Sequence, residues 1–382
     1  MSRIRILTRR RRSVARALVL VLALVGALPL TLAACAGSGS SSANRSAVRP
    51  GEIVTDPWAD LGYRLTWRGF PVLTGSGGTA SVDVFGLGIL VQDRQNTVTL
   101  MDHDTGRNLW VSQVGRPLTR FVGNGVHDGR VLICSDNEIY LLDGQTGALL
   151  ARQSLAVVVN TPPAVIGETA VFGTATGEVL GHSVYSGFKL WGYQLKGSIQ
   201  ATPVAVGPYV GAVSQAGDVL IARPENGRST GRASIFGGLE NHPVADARTM
   251  YVASLDQSVY AFAGDDGRRI WRYRTESAIS AQPALADGVL YVTIPGQGLV
   301  ALDSLTGDRL WANAELSGTV VGSLNGEAIL WDGRTLHALD GERGEVIASM
   351  DLPGAQRVFC SPIENGDLFV VTRDAVARYS PR

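Results

Sequence analysis

The chain is short of most residues that carry chemistry. It has three cysteines in 382 residues, Cys35, Cys134 and Cys360, and no two are neighbours, which excludes a disulfide framework and a four-cysteine zinc site. Its five histidines, His103, His127, His182, His242 and His337, fall at five different phases along the chain and show no metal-ligand spacing. Lysine is nearly absent, with Lys189 and Lys196 the only two. Long apolar runs are missing too: residues 17–30 fall short of the roughly 18 that a membrane-spanning helix needs. None of the Gly-rich stretches at 75–78, 186–187 and 237–238 joins a strand to a helix, as a phosphate-binding loop must.

Positive charge is also lacking once the amino-terminus is set aside. Seven arginines lie in the first 34 residues, which hold no acid; the remainder carries 27 basic against 34 acidic side chains, a net charge of −7. Nucleic-acid binding, which needs a basic face to displace counterions, is excluded on that balance. The arginine-rich start, the apolar run and Leu32-Ala33-Ala34-Cys35 together resemble a bacterial lipoprotein signal. That resemblance implies cleavage after residue 34 and a diacylglycerol on Cys35, hence an exported chain held on the outer face of the cytoplasmic membrane. Residues 35–57 are rich in Gly and Ser and read as a flexible tether, which leaves 58–382 for the folded domain.

What the chain does have is glycine, 46 residues, many of them evenly spaced. The clearest unit is Ala301-Leu302-Asp303-Ser304-Leu305-Thr306-Gly307-Asp308-Arg309-Leu310-Trp311: an apolar strand, a tight turn opened by Asp and closed by Gly, and a second strand ending in Trp. Related turns end at Gly106, Gly147, Gly187, Gly227, Gly267, Gly307 and Gly344, at steps of 41, 40, 40, 40, 40 and 37 residues. A period near forty built from short strands predicts one propeller blade per repeat.

Seven turns are preceded by eight strand pairs, and the last pair, 367–379, reaches the carboxy-terminus without a following strand. The unclaimed strand at 63–68 completes it. The prediction is therefore an all-β, eight-bladed propeller of four-stranded antiparallel blades closed by an amino-terminal strand, with seven blades as the alternative. Trp110, Trp191, Trp271 and Trp311 each follow a turn glycine by four residues, and Trp67 fits the same place in the closing strand. Ala151, Gly231 and Ala348 stand there in blades two, four and seven, which should pack less tightly. Cys134 and Cys360 fall in non-adjacent blades and should stay unpaired.

These residues resemble the pyrroloquinoline-quinone-type (PQQ-like) propeller repeat, matched most fully by Pro283-Ala284, Gly288-Val289-Leu290-Tyr291-Val292, Ala301-Leu302-Asp303, Thr306-Gly307 and Trp311. Two branches of that group differ in function. Quinoprotein dehydrogenases hold the quinone against a disulfide of adjacent cysteines and bind Ca²⁺, and this chain lacks the cysteine pair. BamB-like lipoproteins are scaffolds without a catalytic site. The resemblance implies a non-enzymatic, monomeric scaffold for envelope proteins, with no cofactor beyond the diacylglycerol on Cys35.

The residues single out two places for recognition. Thr161, Thr202, His242, Gln282 and Ser361 each precede a proline, and repeat symmetry would set them around one mouth of the central channel. Arg223, Glu225, Arg228 and Arg232 interrupt the repeat in blade four and would form a partner surface. A receptor for a small ligand or cell-wall polymer is the alternative, for which Trp58 and Trp331, outside the repeat, would be the sugar platforms.

Overall fold

The computed structural model describes residues 56–116 and 118–382; the signal segment, Cys35 and the tether up to residue 55 lie outside the described residues. Thirty-two strands form eight four-stranded antiparallel sheets. Blades one to seven occupy residues 79–113, 121–154, 164–194, 204–234, 244–274, 284–313 and 319–351. The eighth combines Arg357–Ser361, Asp367–Val371 and Val376–Pro381 with Tyr63–Gly69, the amino-terminal strand pairing from Tyr63 opposite Pro381 to Gly69 opposite Val376. One sheet thus joins both ends of the described chain, and no blade is left with a missing strand.

The two middle strands of each blade are apolar along nearly their whole length because both faces of the sheet meet a neighbouring blade. Gly88–Asp93, Thr249–Ser254 and Ser258–Ala263 are buried at every residue. The hydrophobic clusters cross blade boundaries: one joins Tyr251, Val259 and Trp271 of blade five to Leu290, Val292 and Leu302 of blade six. The cluster of Trp67, Phe369 and Val376 with Val82, Ile89 and Met101 joins blade eight to blade one and closes the ring.

Outer strands are mostly exposed, and their tryptophan is the exception. Each of the five repeat tryptophans is 7–8% exposed and reaches the glycine-closed turn of the next blade. Trp110 donates its indole N–H to the carbonyl of Gly144 at 2.9 Å, Trp191 to Pro224 at 2.6 Å, Trp271 to Ser304 at 2.9 Å, Trp311 to Gly341 at 2.8 Å and Trp67 to His103 at 2.9 Å. The turn glycine lies flat on the indole. A Cβ on Gly307, at φ +77, would sit 2.5 Å from Trp271, so glycine is required there both for the backbone and for the close approach. Asp303 fixes the turn by accepting the N–H groups of Leu305 and Thr306, both at 2.8 Å.

The three blades without the tryptophan solve the same junction in three ways. In blade two, Gln153 takes over, donating to the Val184 carbonyl at 2.7 Å and accepting from His182 at 3.1 Å. In blade four, Gly231 lets the turn of blade five pack backbone against backbone; a Cβ there would lie 2.1 Å from the carbonyl carbon of Asp266. In blade seven, Ala348 and Met350 pack with Leu61, Tyr63 and Trp58, carried by the residues that lead into the closing strand. Gly231→Ala is therefore expected to destabilise the protein by about 1–3 kcal/mol through overpacking, read as a lower urea midpoint. An unchanged midpoint would mean that blades four and five separate freely.

Candidate functional site

Antiparallel blades divide the loops between two faces. The hairpins joining first to second and third to fourth strands share one, here called the turn face. The loops joining second to third strands, and the connectors from one blade to the next, share the other, the connector face.

The innermost strands of blades three to six begin at Ala164, Val204, Val244 and Ala284, one every 40 residues. In that register the position before the last proline holds Pro162, Thr202, His242 and Gln282. The doubled Pro162-Pro163 shifts Thr161 one place away, into the buried register of Ala201 and Asn241. There its Oγ1 accepts the N–H of Gly173 at 2.8 Å.

Thr202, His242 and Gln282 are brought together on the connector face. The Thr202 N–H donates to His242 Nδ1 at 3.0 Å, the His242 N–H donates to Gln282 Oε1 at 2.9 Å, and Gln282 Nε2 returns a bond to the His242 carbonyl at 3.0 Å. An accepting Nδ1 requires the neutral ring with its proton on Nε2. Burial pulls the His242 pKa below the usual value and favours that form. These bonds knit three blades at their inner ends.

Ser361 does not join them. It pairs with Asp367 at the end of the inner strand of blade eight, on the turn face, and Arg357 holds the start of that strand. Arg357 donates to the Val82 carbonyl of blade one at 2.9 Å, with its guanidinium 4.7 Å from the centre of the Phe359 ring. Nothing in the repeat pattern marks Arg357, because Ser361-Pro362 imitates the strand entrance while lying in the following hairpin.

The blade-four turn keeps the repeat geometry despite its altered sequence. Arg223 N–H donates to the Arg228 carbonyl at 3.0 Å and Gly227 N–H to the Arg223 carbonyl at 2.9 Å, as Asp303, Asp308 and Gly307 do in blade six. Asn226 accepts the Arg228 N–H at 2.9 Å, the bond that Thr306 makes to Asp308 in blade six, while Arg223 cannot provide the aspartate cap. Arg223, Glu225, Arg228 and Arg232 are all exposed, and the single ion pair recorded for them is a loose one of 3.8 Å between Arg223 and Glu225.

Other residues with chemical potential are occupied structurally. Trp58 stacks on Tyr379 with ring centroids 3.5 Å apart, and Trp58 and Trp331 both pack half-buried against the core of blades seven and eight. Neither is a freestanding sugar platform. Cys134 and Cys360 are free thiols, and burial pushes both pKa values up, Cys360 to about 12, which keeps it protonated. Among the described residues no group of three His, Cys, Asp or Glu side chains converges as metal ligands.

His182 is fully buried between blades two and three, and burial lowers its pKa to about 4. Above pH 6.5 the ring is neutral in both folded and unfolded chains and has no effect. Below it the unfolded chain takes up a proton that the folded one refuses, so stability falls as the pH drops from 6.5 to about 4, by about 3 kcal/mol in all. His182→Gln should flatten this part of the stability profile, measured as urea midpoints between pH 7 and pH 4.5; an unchanged slope would assign it to other groups.

The family model of the outer membrane protein assembly factor BamB matches residues 94–242 and 233–358, from the first blade into the eighth. BamB of Burkholderia pseudomallei is 26% identical over 155 residues, and BamB of Bordetella pertussis 27% identical over 154; each match covers 39% of this chain and 40% of the relative. The chain thus spans about two-fifths of the length of these curated relatives. Quinohemoprotein alcohol dehydrogenase ADH-IIG of Pseudomonas putida is 31% identical over 130 residues, 29% of this chain and 18% of that enzyme. Among solved structures, BamB from Moraxella catarrhalis superposes with a TM-score of 0.65 at 17% identity, covering 83% of this chain and 97% of that one. The designed protein Ika8 superposes equally well, at 0.65 and 12% identity over 82% of this chain and 98% of its own. At these identities the structural likeness speaks to the fold alone.

Proposed function

The chain belongs to the family of the outer membrane protein assembly factor BamB, and from that membership we propose that it is a non-enzymatic propeller scaffold for protein assembly in the cell envelope. The observation that carries this reading is how its polar and aromatic residues are used. The repeat tryptophans hold blades together, the turn aspartates cap backbone, and Thr202, His242 and Gln282 knit the connector face. What remains available is a rigid frame with two faces of loops, the arrangement on which recognition concentrates. The likeness to a quinohemoprotein alcohol dehydrogenase covers 18% of that enzyme and gives no support to a quinone site, since no two cysteines here are adjacent. Lipid attachment at Cys35, outside the described residues, would hold the scaffold at the membrane while leaving the propeller free to dock envelope proteins as a monomer.

Crosslinking of the full-length chain in cells, followed by identification of bound proteins, tests this. A reproducible envelope partner is expected, reduced at least several-fold by Arg228→Glu with Arg232→Glu at unchanged thermal stability. Full retention of the partner by that variant would remove blade four from the docking surface; absence of any partner would remove the scaffold reading itself.

A further inference from the structure

We infer that the cleft between blades three and four on the turn face is a docking groove for an extended polypeptide segment with apolar side chains flanked by Lys or Arg. The blade-three turn departs from the others in chemistry. Two residues before and one residue after the turn glycine, it carries Tyr185 and Phe188, whereas the other six turns carry charged or polar residues at these corners, Ala148 and Leu305 apart. Tyr185 is 76% exposed and Phe188 is 73% exposed, although both turn and backbone geometry are those of the other blades. Neither supports the fold at that exposure, and large aromatics held open on a rigid turn are the side chains that dominate binding energy at interfaces.

The turn they stand on runs between Ser183 and Leu190, and both of those residues line a cleft of about 570 Å³. Ile166 and Pro208 line its inner part, and Pro224 its outer part on blade four. The cleft therefore runs radially from the inner hairpins to the outer turns, a shape that takes a chain laid out lengthwise. Its charged lining is two carboxylates, Glu168 and Glu225, without a cation. Glu168 has no recorded ion pair, and that of Glu225 to Arg223 is loose. An apolar trough with one unpaired and one loosely paired carboxylate along it complements a cationic, apolar segment and repels an acidic one.

This inference rests on the scaffold reading and names the kind of partner segment it would dock. The test uses the full-length chain in detergent and two labelled nonapeptides, one alternating Leu with Lys and one alternating Leu with Glu, titrated by fluorescence anisotropy. The Leu-Lys peptide should bind saturably and at least tenfold more tightly than its acidic twin. Tyr185→Ser with Phe188→Ser should weaken it at least tenfold, and Glu168→Gln with Glu225→Gln should abolish the preference between the peptides. Leu305→Ser, at an exposed corner of the blade-six turn, should change nothing. Equal binding of both peptides, or binding indifferent to the aromatic pair, would overturn the inference. So would self-association in sedimentation that disappears with Tyr185 and Phe188, since the occupant would then be a second copy. Failure here with a crosslinked partner retained in cells would discard this groove and keep the scaffold; loss of the cellular partner with peptide binding intact would do the reverse.

Discussion

Trp271→Ala is expected to lower stability by about 3–5 kcal/mol, among the largest losses open to a single substitution in this chain. The indole fills the junction between blades five and six in one cluster with Tyr251, Leu290 and Leu302. Its removal leaves a cavity against Gly307, which cannot close without moving the turn. It also removes the donor to the Ser304 carbonyl. Ile270→Ala on the same outer strand, at a residue 41% exposed, is the matched control and should cost under about 1 kcal/mol. Urea midpoints of the two variants decide the matter. Equal, small losses would mean that the tryptophans are ornaments of the repeat and that the blades are held by their middle strands alone.

Arg378→Ala should cost a similar amount for an electrostatic reason. Arg378 and Asp367 pair at 2.7 Å in blade eight with side chains 13% and 15% exposed. The same guanidinium donates at 2.7 Å to the His103 carbonyl in the turn of blade one, the carbonyl that also receives the Trp67 indole. Both donors therefore converge where the ring closes. Removing the arginine strands a largely buried carboxylate, a loss of about 3–5 kcal/mol. Replacing both partners, Arg378→Met with Asp367→Leu, should recover much of that cost, because no charge is left unpaired. A double variant as unstable as the single would show that the bond to blade one, not the burial of charge, is what matters.

The number of blades was legible because each turn needs glycine for its backbone, and so the count of glycines at a forty-residue step is a count of turns. The closing strand was legible from the same arithmetic, since eight strand pairs with seven turns leave one outer strand to be supplied by residues 63–68, which the structure extends to Gly69. The junctions that lack tryptophan were not legible. Gln153 lies two residues beyond the expected position, and its role depends on His182 and Val184 of the next blade, which no pattern within one repeat reports. Gly231 read as a loss, yet it permits a close backbone approach to Asp266 that any side chain would prevent. Prolines misled in two places, at Pro162-Pro163, where doubling moved Thr161 into the buried register, and at Ser361-Pro362, which lies in a hairpin on the opposite face. In blade four the turn keeps its backbone hydrogen bonds without the aspartate cap, and Asn226 makes the bond that Thr306 makes in blade six, so the surface looks altered in sequence while its backbone is unchanged.

The most direct test of the scaffold account is to deplete the full-length chain in its own cells and quantify the assembled envelope proteins, with quinone-linked alcohol oxidation measured on the same membranes. The account predicts that a defined subset of envelope proteins falls while oxidation is unchanged. An intact envelope proteome together with lost quinone-linked oxidation would contradict it and make the chain an enzyme.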